Sequence, residues 1–288
     1  MLKNYLELIR WDKPIGTLLL LWPTLWALFV AGSGHPPLII VLVFILEVFL
    51  TRSAGDVIND YIDVEVDKRV KRTRNRPLAR GAISQQAALY VFLGLSVMAL
   101  ALAVIFLKRT TLFWSIPALA LLVSYPFMKR FFCLPQAYLG IAYSFGILMA
   151  FIQVLGKLPL VAWLLFMANM FWVLGYDTIY AMLDEEDDRK IGIKTAVLTL
   201  GRQVIPFVLV CYAFFVLFLS LVGLKLSFNF IYWLSLLIVA VLLFYQIWVI
   251  TRTREYYLQM FKLNSWVGLV VFAGIIISNP TMVYTSYL

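Results

Sequence analysis

Most of the acidic residues in this chain lie in two short stretches of an otherwise apolar sequence. Eleven of the fifteen Asp and Glu residues fall within 56–67, DVINDYIDVEVD, and 177–188, DTIYAMLDEEDD. Carboxylates are costly in a membrane protein and tend to mark functional sites. Each stretch is followed at once by Lys and Arg residues. The combination indicates a site for a divalent metal and for phosphate.

The spacing within each stretch predicts that the carboxylates share one face of a helix, because positions three or four apart lie together. The residues with this spacing are Asp60, Asp63 and Asp67 in the first stretch, and Asp177, Tyr180, Asp184 and Asp188 in the second. Converging carboxylates repel one another at low dielectric, and a divalent cation relieves that repulsion. All these donors are oxygen atoms, with no suitable His or Cys nearby. This donor set predicts a hard ion, Mg²⁺ above all.

Basic residues beside the two stretches indicate a diphosphate. They are Lys68, Arg72, Arg76 and Arg80 after the first stretch, Arg189, Lys190 and Lys194 after the second, and Lys129 near Tyr125 in the segment SYPFMKR. Magnesium held by few carboxylates completes its shell with water and substrate phosphate, while Arg and Lys neutralise the remaining charge. Apolar surroundings predict a lipid diphosphate whose allylic chain ionises where water cannot quench the cation.

The elements that must position these residues are predicted to be membrane helices. The 288 residues are 63% hydrophobic, far more than in an ordinary soluble domain. Apolar windows predict nine spans, at 15–32, 37–55, 87–107, 110–127, 137–155, 159–176, 204–223, 229–250 and 265–284. We expect residues 1–288 to form a single all-α integral membrane domain, with about nine transmembrane helices in one bundle and a cytoplasm-facing active-site cavity.

Positive charge predicts the orientation of the bundle. With the N-terminus in the cytoplasm, 19 of the 24 Lys and Arg residues lie on the cytoplasmic side, together with both acidic stretches. The net charge of +9 is therefore explained by topology and phosphate binding, and no nucleic-acid partner is expected. Two other interpretations stay open from the residues alone. The acidic runs could be solvated loops, or the chain could be a cation-coupled transporter, whose acids would more often lie near the bilayer midplane.

Three motifs resemble those of the UbiA superfamily of intramembrane prenyltransferases. The pattern N-D-x-x-D-x-x-x-D stands at Asn59 to Asp67, D-x-x-x-D at Asp184 to Asp188, and Y-x-x-x-K at Tyr125 to Lys129. The start RWDKPIGTLLLLWPTLWAL and the run VKRTRNRPLARGA are similar to the bacterial 4-hydroxybenzoate polyprenyltransferase branch. The likeness runs from about Arg10 to the C-terminus.

The resemblance implies an activity, a compartment and a set of roles. It implies Mg²⁺-dependent transfer of a polyprenyl group from polyprenyl diphosphate to the ring carbon of 4-hydroxybenzoate ortho to its hydroxyl, a step of ubiquinone synthesis in the bacterial inner membrane. The implied metal ligands are Asp60, Asp63, Asp67, Asp184 and Asp188. The implied substrate-binding residues are Asn59, Arg72, Tyr125, Lys129, Lys190 and Lys194, with Arg130 or Arg10 for the acceptor carboxylate and Asp177 or Tyr180 for the released proton.

Several points stay open at this level. The acceptor could instead be homogentisate, a naphthoate or a glycerol phosphate. No residue reads as a ruler for prenyl chain length, and neither the number of metal ions nor the oligomeric state follows from the sequence.

Overall fold

The chain is helical throughout the computed structural model, which describes residues 1–278 apart from the side chains of Pro126, Lys129 and Arg130. Within that range no residue lies in a strand. The helices, in chain order, are α1 (Leu2–Leu8), α2 (Ile15–Ala31), α3 (Leu38–Ile62), α4 (Val64–Asp67), α5 (Gln85–Phe106), α6 (Arg109–Phe131), α7 (Pro135–Leu155), α8 (Leu160–Ala181), α9 (Glu185–Ile191), α10 (Ala196–Leu200), α11 (Val204–Lys225), α12 (Phe230–Ile250) and α13 (Tyr257–Ile277).

The multi-pass membrane architecture predicted from hydropathy is confirmed. Seven helical stretches among the described residues are long and apolar enough to cross a membrane, and α2 is apolar but only 17 residues long. Each of the nine predicted spans overlaps a long helix, whereas nine membrane crossings remain a prediction. Large apolar side chains on α5, α6 and α12 are exposed, as expected of surfaces that face lipid.

Three predicted boundaries were wrong, each at a helix that carries polar residues. Helix α3 continues to Ile62 and α8 to Ala181, beyond the predicted ends at 55 and 176. Helix α13 begins at Tyr257 instead of 265, and the predicted end of that span at 284 lies outside the described residues. The apolar windows end where charged residues become frequent, at Asp56, Asp177 and Lys262, but the helices continue through these polar segments.

The bundle interior is closed by aromatic packing between helices from both halves of the chain. The Trp172 ring on α8 lies 5.3 Å from that of Trp26 on α2 and 5.4 Å from that of Phe215 on α11, measured between centroids. Gly268 on α13 lets Trp22 approach so closely that a Cβ there would clash. Such close contacts matter in a bilayer, where helix association depends on packing rather than on hydrophobic burial.

A second, smaller core supports the first acidic stretch. It joins α1, α3, α4, the loop of residues 68–84 and α5, through Leu8, Val57, Val64, Leu78, Ile83 and Ala88. Val57 and Val64 of this core lie within the acidic stretch itself, so the core fixes where the chain turns at the end of α3. The N-terminal helix is part of this arrangement.

Candidate active site

The first acidic cluster is formed where α3 ends. Asp60 lies in the last turn of α3, Asp63 stands between α3 and α4, and Asp67 is the last residue of α4. All three are buried, with Asp60 fully inaccessible. The expectation that they share one continuous helix face was therefore wrong, because the backbone leaves the helix at Asp63 (φ −95°, ψ 10°). The turn still keeps the three carboxyl groups in the protein interior.

Two arginines hold the first cluster together. Arg10 Nη2 donates to both carboxylate oxygens of Asp60, at 2.7 Å each. Arg76 Nη1 donates to Asp60 Oδ1 at 2.8 Å and to Asp67 Oδ2 at 2.7 Å, so it bridges the two acids. Burial raises the pKa of Asp67, and the nearby Arg76 opposes that rise. The interior here has enough positive charge to keep its carboxylates paired.

The second cluster repeats the arrangement of the first at the end of α8. Asp177 and Tyr180 lie on α8, Asp184 stands between α8 and α9, and Asp188 lies on α9. Asp188 is buried, whereas the Asp184 side chain is 14% exposed. The similar spacing of the two acidic stretches thus has a structural counterpart, since each stretch runs from a long helix through a break into a short one.

The loop after α4 joins the two clusters. Arg72 donates through Nε to Asp184 Oδ2 at 2.9 Å and through Nη1 to the Tyr180 hydroxyl at 2.6 Å. Its guanidinium carbon also lies 4.7 Å from the centre of the Tyr180 ring. The backbone N–H of Lys71 donates to Asp187 Oδ2 at 2.9 Å. Since Arg76 contacts the first cluster, one loop contacts both groups of carboxylates.

A cleft of about 370 Å³ opens beside the second cluster. Three segments of the chain form its walls. Lys71 and Arg72 come from the loop after α4, Asp184 and its neighbours come from the junction of α8 and α9, and Arg254 comes from the loop between α12 and α13. Arg254 lies 3.7 Å from Glu185 and 3.6 Å from Glu186. Glu186 is 72% exposed, whereas Glu185 is 25% exposed and also pairs with Arg189 at 3.1 Å.

A buried cation inside α3 was not assigned a role from the sequence. Arg52 pairs with Asp56 at 3.0 Å, lies 5.9 Å from the centre of the Tyr143 ring, and packs against the backbone of Gly16. Among the described residues, the buried Arg52 Nε, Asp56 Oδ2 and the Tyr176 hydroxyl have no hydrogen-bond partner. A charged side chain in an apolar span was the available signal, because such residues are rare unless they line a site.

The remaining predicted residues are more scattered. Asn59 is half-buried near the end of α3, and Lys190 is exposed on α9. Lys194 donates to the backbone carbonyl of Phe131 at 3.2 Å, at the end of α6. Tyr125 also lies on α6, and the helix includes Lys129 and Arg130, whose side chains lie outside the described part of the chain. The predicted roles of these two cations stay predictions.

The donor chemistry of the clusters fits a hard divalent ion. Within residues 1–278, no three Asp, Glu, His or Cys side chains lie close enough together to form a metal-binding group. Instead, Arg72 and Arg76 supply positive charge beside the carboxylates. The carboxylates are oxygen donors of the kind that Mg²⁺ prefers. The arginines paired with these carboxylates stabilise their negative charge.

Comparison with known proteins decides the family. Residues 20–268 match the UbiA prenyltransferase family. The chain belongs to this family. This UbiA member is 49% identical over 280 residues to the 4-hydroxybenzoate octaprenyltransferase of Nitrosomonas europaea, covering 96% of this chain and 95% of that protein. The resemblance inferred from the sequence motifs is thereby confirmed.

Solved structures support the same fold. A UbiA homologue from Aeropyrum pernix has a TM-score of 0.81 and 25% sequence identity, covering 90% of this chain and 97% of that one. A UbiA homologue from Archaeoglobus fulgidus, solved bound to GPP and Mg²⁺, has a TM-score of 0.70 and 17% identity, covering 95% of this chain and 99% of that one. At that identity the likeness supports the fold alone.

Proposed function

We propose that this UbiA-family protein transfers a polyprenyl group from polyprenyl diphosphate to 4-hydroxybenzoate, on the ring carbon ortho to the hydroxyl. The observation that carries the proposal is the convergence of two carboxylate clusters on one loop, where Arg72 contacts Asp184 and Arg76 contacts Asp67. The 49% identity to a 4-hydroxybenzoate octaprenyltransferase, over 96% of this chain, supports 4-hydroxybenzoate as the acceptor. It also makes octaprenyl diphosphate the first donor to test.

A divalent ion, with Mg²⁺ as the first candidate, would be held by carboxylates of both clusters. When bound, it would neutralise negative charge on the diphosphate. Asp63, Asp67, Asp184 and Asp188 are the proposed ligands. The support for a divalent ion is the donor set, since all four are carboxylates, the oxygen donors that Mg²⁺ prefers. Arg72 would then exchange part of its carboxylate contacts for contacts with the diphosphate oxygens, since guanidinium groups bind phosphate well. Arg76 would keep its carboxylate contacts and add positive charge beside Asp67.

The reaction breaks the bond between the allylic carbon and the diphosphate oxygen, and forms a bond from that carbon to the aromatic ring. The leaving diphosphate takes the negative charge, which the arginines stabilise. The ring then loses its proton, and Asp177 or Tyr180 at the end of α8 is proposed to accept it. The apolar bundle behind the clusters keeps water away from the allylic cation.

The carboxylate of the acceptor requires a cation, and the structure changes the candidates. Arg10 is engaged with both oxygens of Asp60, which makes it a poor choice, and Arg130 remains a prediction. Arg52 is three-quarters buried and its Nε has no partner among the described residues. We therefore add Arg52 as the proposed partner of the acceptor carboxylate.

The orientation of the site remains a proposal that rests on charge. The loops that carry the clusters also carry most Lys and Arg residues, which favours the cytoplasmic face of the bacterial inner membrane. The transporter interpretation is disfavoured, because the acids lie at helix ends next to arginines and the chain belongs to a prenyltransferase family.

An acceptor panel tests the proposal. The purified protein in nanodiscs is incubated with Mg²⁺, octaprenyl diphosphate and equal amounts of 4-hydroxybenzoate, homogentisate and a dihydroxynaphthoate, and products are identified by mass. We expect prenylated 4-hydroxybenzoate to dominate and EDTA to prevent its formation. Dominant prenylation of another acceptor would reassign the substrate, and activity that survives EDTA would reject the divalent metal.

A further inference from the structure

Asp60 has the least solvent-accessible carboxylate of the first cluster. It is also the carboxylate that accepts the most hydrogen bonds from arginine. Its side chain has no solvent exposure, and both oxygens accept from Arg10 Nη2 at 2.7 Å. Oδ1 also accepts from Arg76 Nη1 at 2.8 Å. A metal at this carboxylate would have to displace a guanidinium group from a buried pair, and breaking such a pair is strongly unfavourable.

The N-terminal segment, residues 1–13, is fastened to the same region at further points. Ser53 Oγ on α3 donates to the carbonyl of Ile9 at 3.1 Å. Arg80 Nη2 donates to Asn4 Oδ1 at 3.0 Å and to Glu7 Oε2 at 2.7 Å. Leu8, which is fully buried, belongs to the small core that includes Val64 and Leu78. The segment therefore contacts α3, α4 and the loop that carries Arg76.

The backbone conformation of Arg10 also indicates that this residue is held in place by its surroundings. Arg10 has φ of +58°, in the left-handed region that non-glycine residues rarely adopt. A strained conformation of this kind persists where surrounding contacts hold it. The ion pair with Asp60 holds the Arg10 side chain. The strained backbone and the buried ion pair therefore belong to the same residue.

From these contacts we propose that Asp60 is a positioning residue that fastens the N-terminal segment and Arg76 at the first cluster, and that it does not bind the metal. Arg76 bridges Asp60 to Asp67, so loss of Asp60 would release a cation that orients Asp67. This inference rests on the proposed function for the role of Asp67 as a metal ligand. It replaces the metal-ligand role that the sequence motif implied for Asp60.

Four single variants and one double variant, Asp60→Asn/Arg10→Gln, test the role of Asp60. Asp60→Asn and Arg10→Gln each remove one side of the pair, Asp63→Asn alters a proposed metal ligand, and Asp12→Asn is a matched control on the same segment, where Asp12 is exposed. Two properties are measured in nanodiscs without substrate. They are the number of Mn²⁺ ions bound, by electron paramagnetic resonance titration, and the hydrogen exchange of residues 2–12, by mass spectrometry.

Asp60→Asn and Arg10→Gln are each expected to speed exchange of residues 2–12 by about tenfold or more, as local opening becomes easier, while the number of bound Mn²⁺ ions stays at the wild-type value. The double variant is expected to match the single variants, because both remove one contact. Asp63→Asn is expected to lose Mn²⁺ without faster exchange, and Asp12→Asn to change neither property. Loss of a bound ion in Asp60→Asn with unchanged exchange would overturn the proposal.

Arg10→Gln decides the question if Asp60→Asn does not yield folded protein. If Asp60 were a metal ligand, removal of its competing arginine would tighten Mn²⁺ binding and leave the segment ordered. A positioning role predicts faster exchange with Mn²⁺ binding unchanged or weaker. If the wild-type protein bound no Mn²⁺ even with inorganic diphosphate present, the metal part of the proposed function would fail. Unchanged exchange in Arg10→Gln would separately reject the fastening role.

Discussion

The two acidic clusters have similar sequences and similar backbone paths but different surroundings. The first is enclosed, with Asp60, Asp63 and Asp67 all buried and with Arg10 and Arg76 fully engaged. The second lies beside an open cleft, where the Arg72 side chain is 32% exposed. The comparison suggests that the first half of the site is fixed in advance, whereas the second half can rearrange around a substrate.

The largest effect is expected where either cluster loses a proposed metal ligand. Asp63→Ala and Asp184→Ala should each lower Mg²⁺-dependent prenyl transfer by about a thousandfold, the upper scale for losing one electrostatic contact to a transition state. Rates in membranes with matched expression measure this loss. Full activity in both variants would reject the metal-site assignment, and full activity in only one would show that the clusters do not act together.

The enclosed cluster should depend more strongly on its arginine for stability. Arg76→Ala leaves the buried Asp60 and Asp67 without their shared cation, and should destabilise the protein by about 3 kcal/mol in EDTA. Arg72→Ala is the matched variant at the open cluster and should cost less, because water can reach Asp184. Denaturant or thermal unfolding compares the two. An equal or greater loss in Arg72→Ala would contradict the difference between the clusters.

The acceptor cation is expected to show a smaller and more specific effect. Arg52→Gln should raise the KM for 4-hydroxybenzoate by about tenfold, as expected for loss of one charge-assisted hydrogen bond, with little change for the prenyl diphosphate. Steady-state kinetics with each substrate varied in turn measures this. Arg130→Ala is the competing variant, and an acceptor effect there but not in Arg52→Gln would move the clamp to Arg130.

The smallest effect is expected at the rim of the open cluster. Arg254 is 67% exposed, and its guanidinium nitrogens lie 3.7 Å from a carboxylate oxygen of Glu185 and 3.6 Å from one of Glu186. Arg254→Ala should change stability by less than about 1 kcal/mol, because exposed ion pairs contribute little, and activity by less than about twofold. A large loss of activity would show that the cleft is a tightly built part of the site.

Helix positions and the chain segments that form the candidate site could be predicted from the sequence, for clear physical reasons. Apolar runs long enough to span a bilayer place α5, α7 and α12 to within a few residues, because lipid permits few alternatives. The acidic spacing and the basic residues after it indicated metal and diphosphate chemistry. The motifs then identified a family that the comparison confirmed.

The pairing of charges could not be predicted from the sequence. Arg10 meets Asp60 across 50 positions of the chain, and Arg72 meets Asp184 across 112. Residues so far apart in the sequence leave no local pattern that reveals their pairing. The pairing depends on how α1 and the loop after α4 pack against α3 and α8. Sequence spacing placed Asp60 with the metal ligands, whereas its burial and its two arginine partners became visible only in the folded chain.

Whether the two unequal clusters form one diphosphate site can be measured by calorimetric titration. The protein in nanodiscs is titrated with a thiodiphosphate analogue of a prenyl donor, with and without Mg²⁺. We predict Mg²⁺-dependent binding by the wild-type protein, and loss of that dependence in both Asp63→Asn and Asp184→Asn. Unchanged Mg²⁺-dependent binding in either variant would contradict the claim that both clusters hold the same diphosphate.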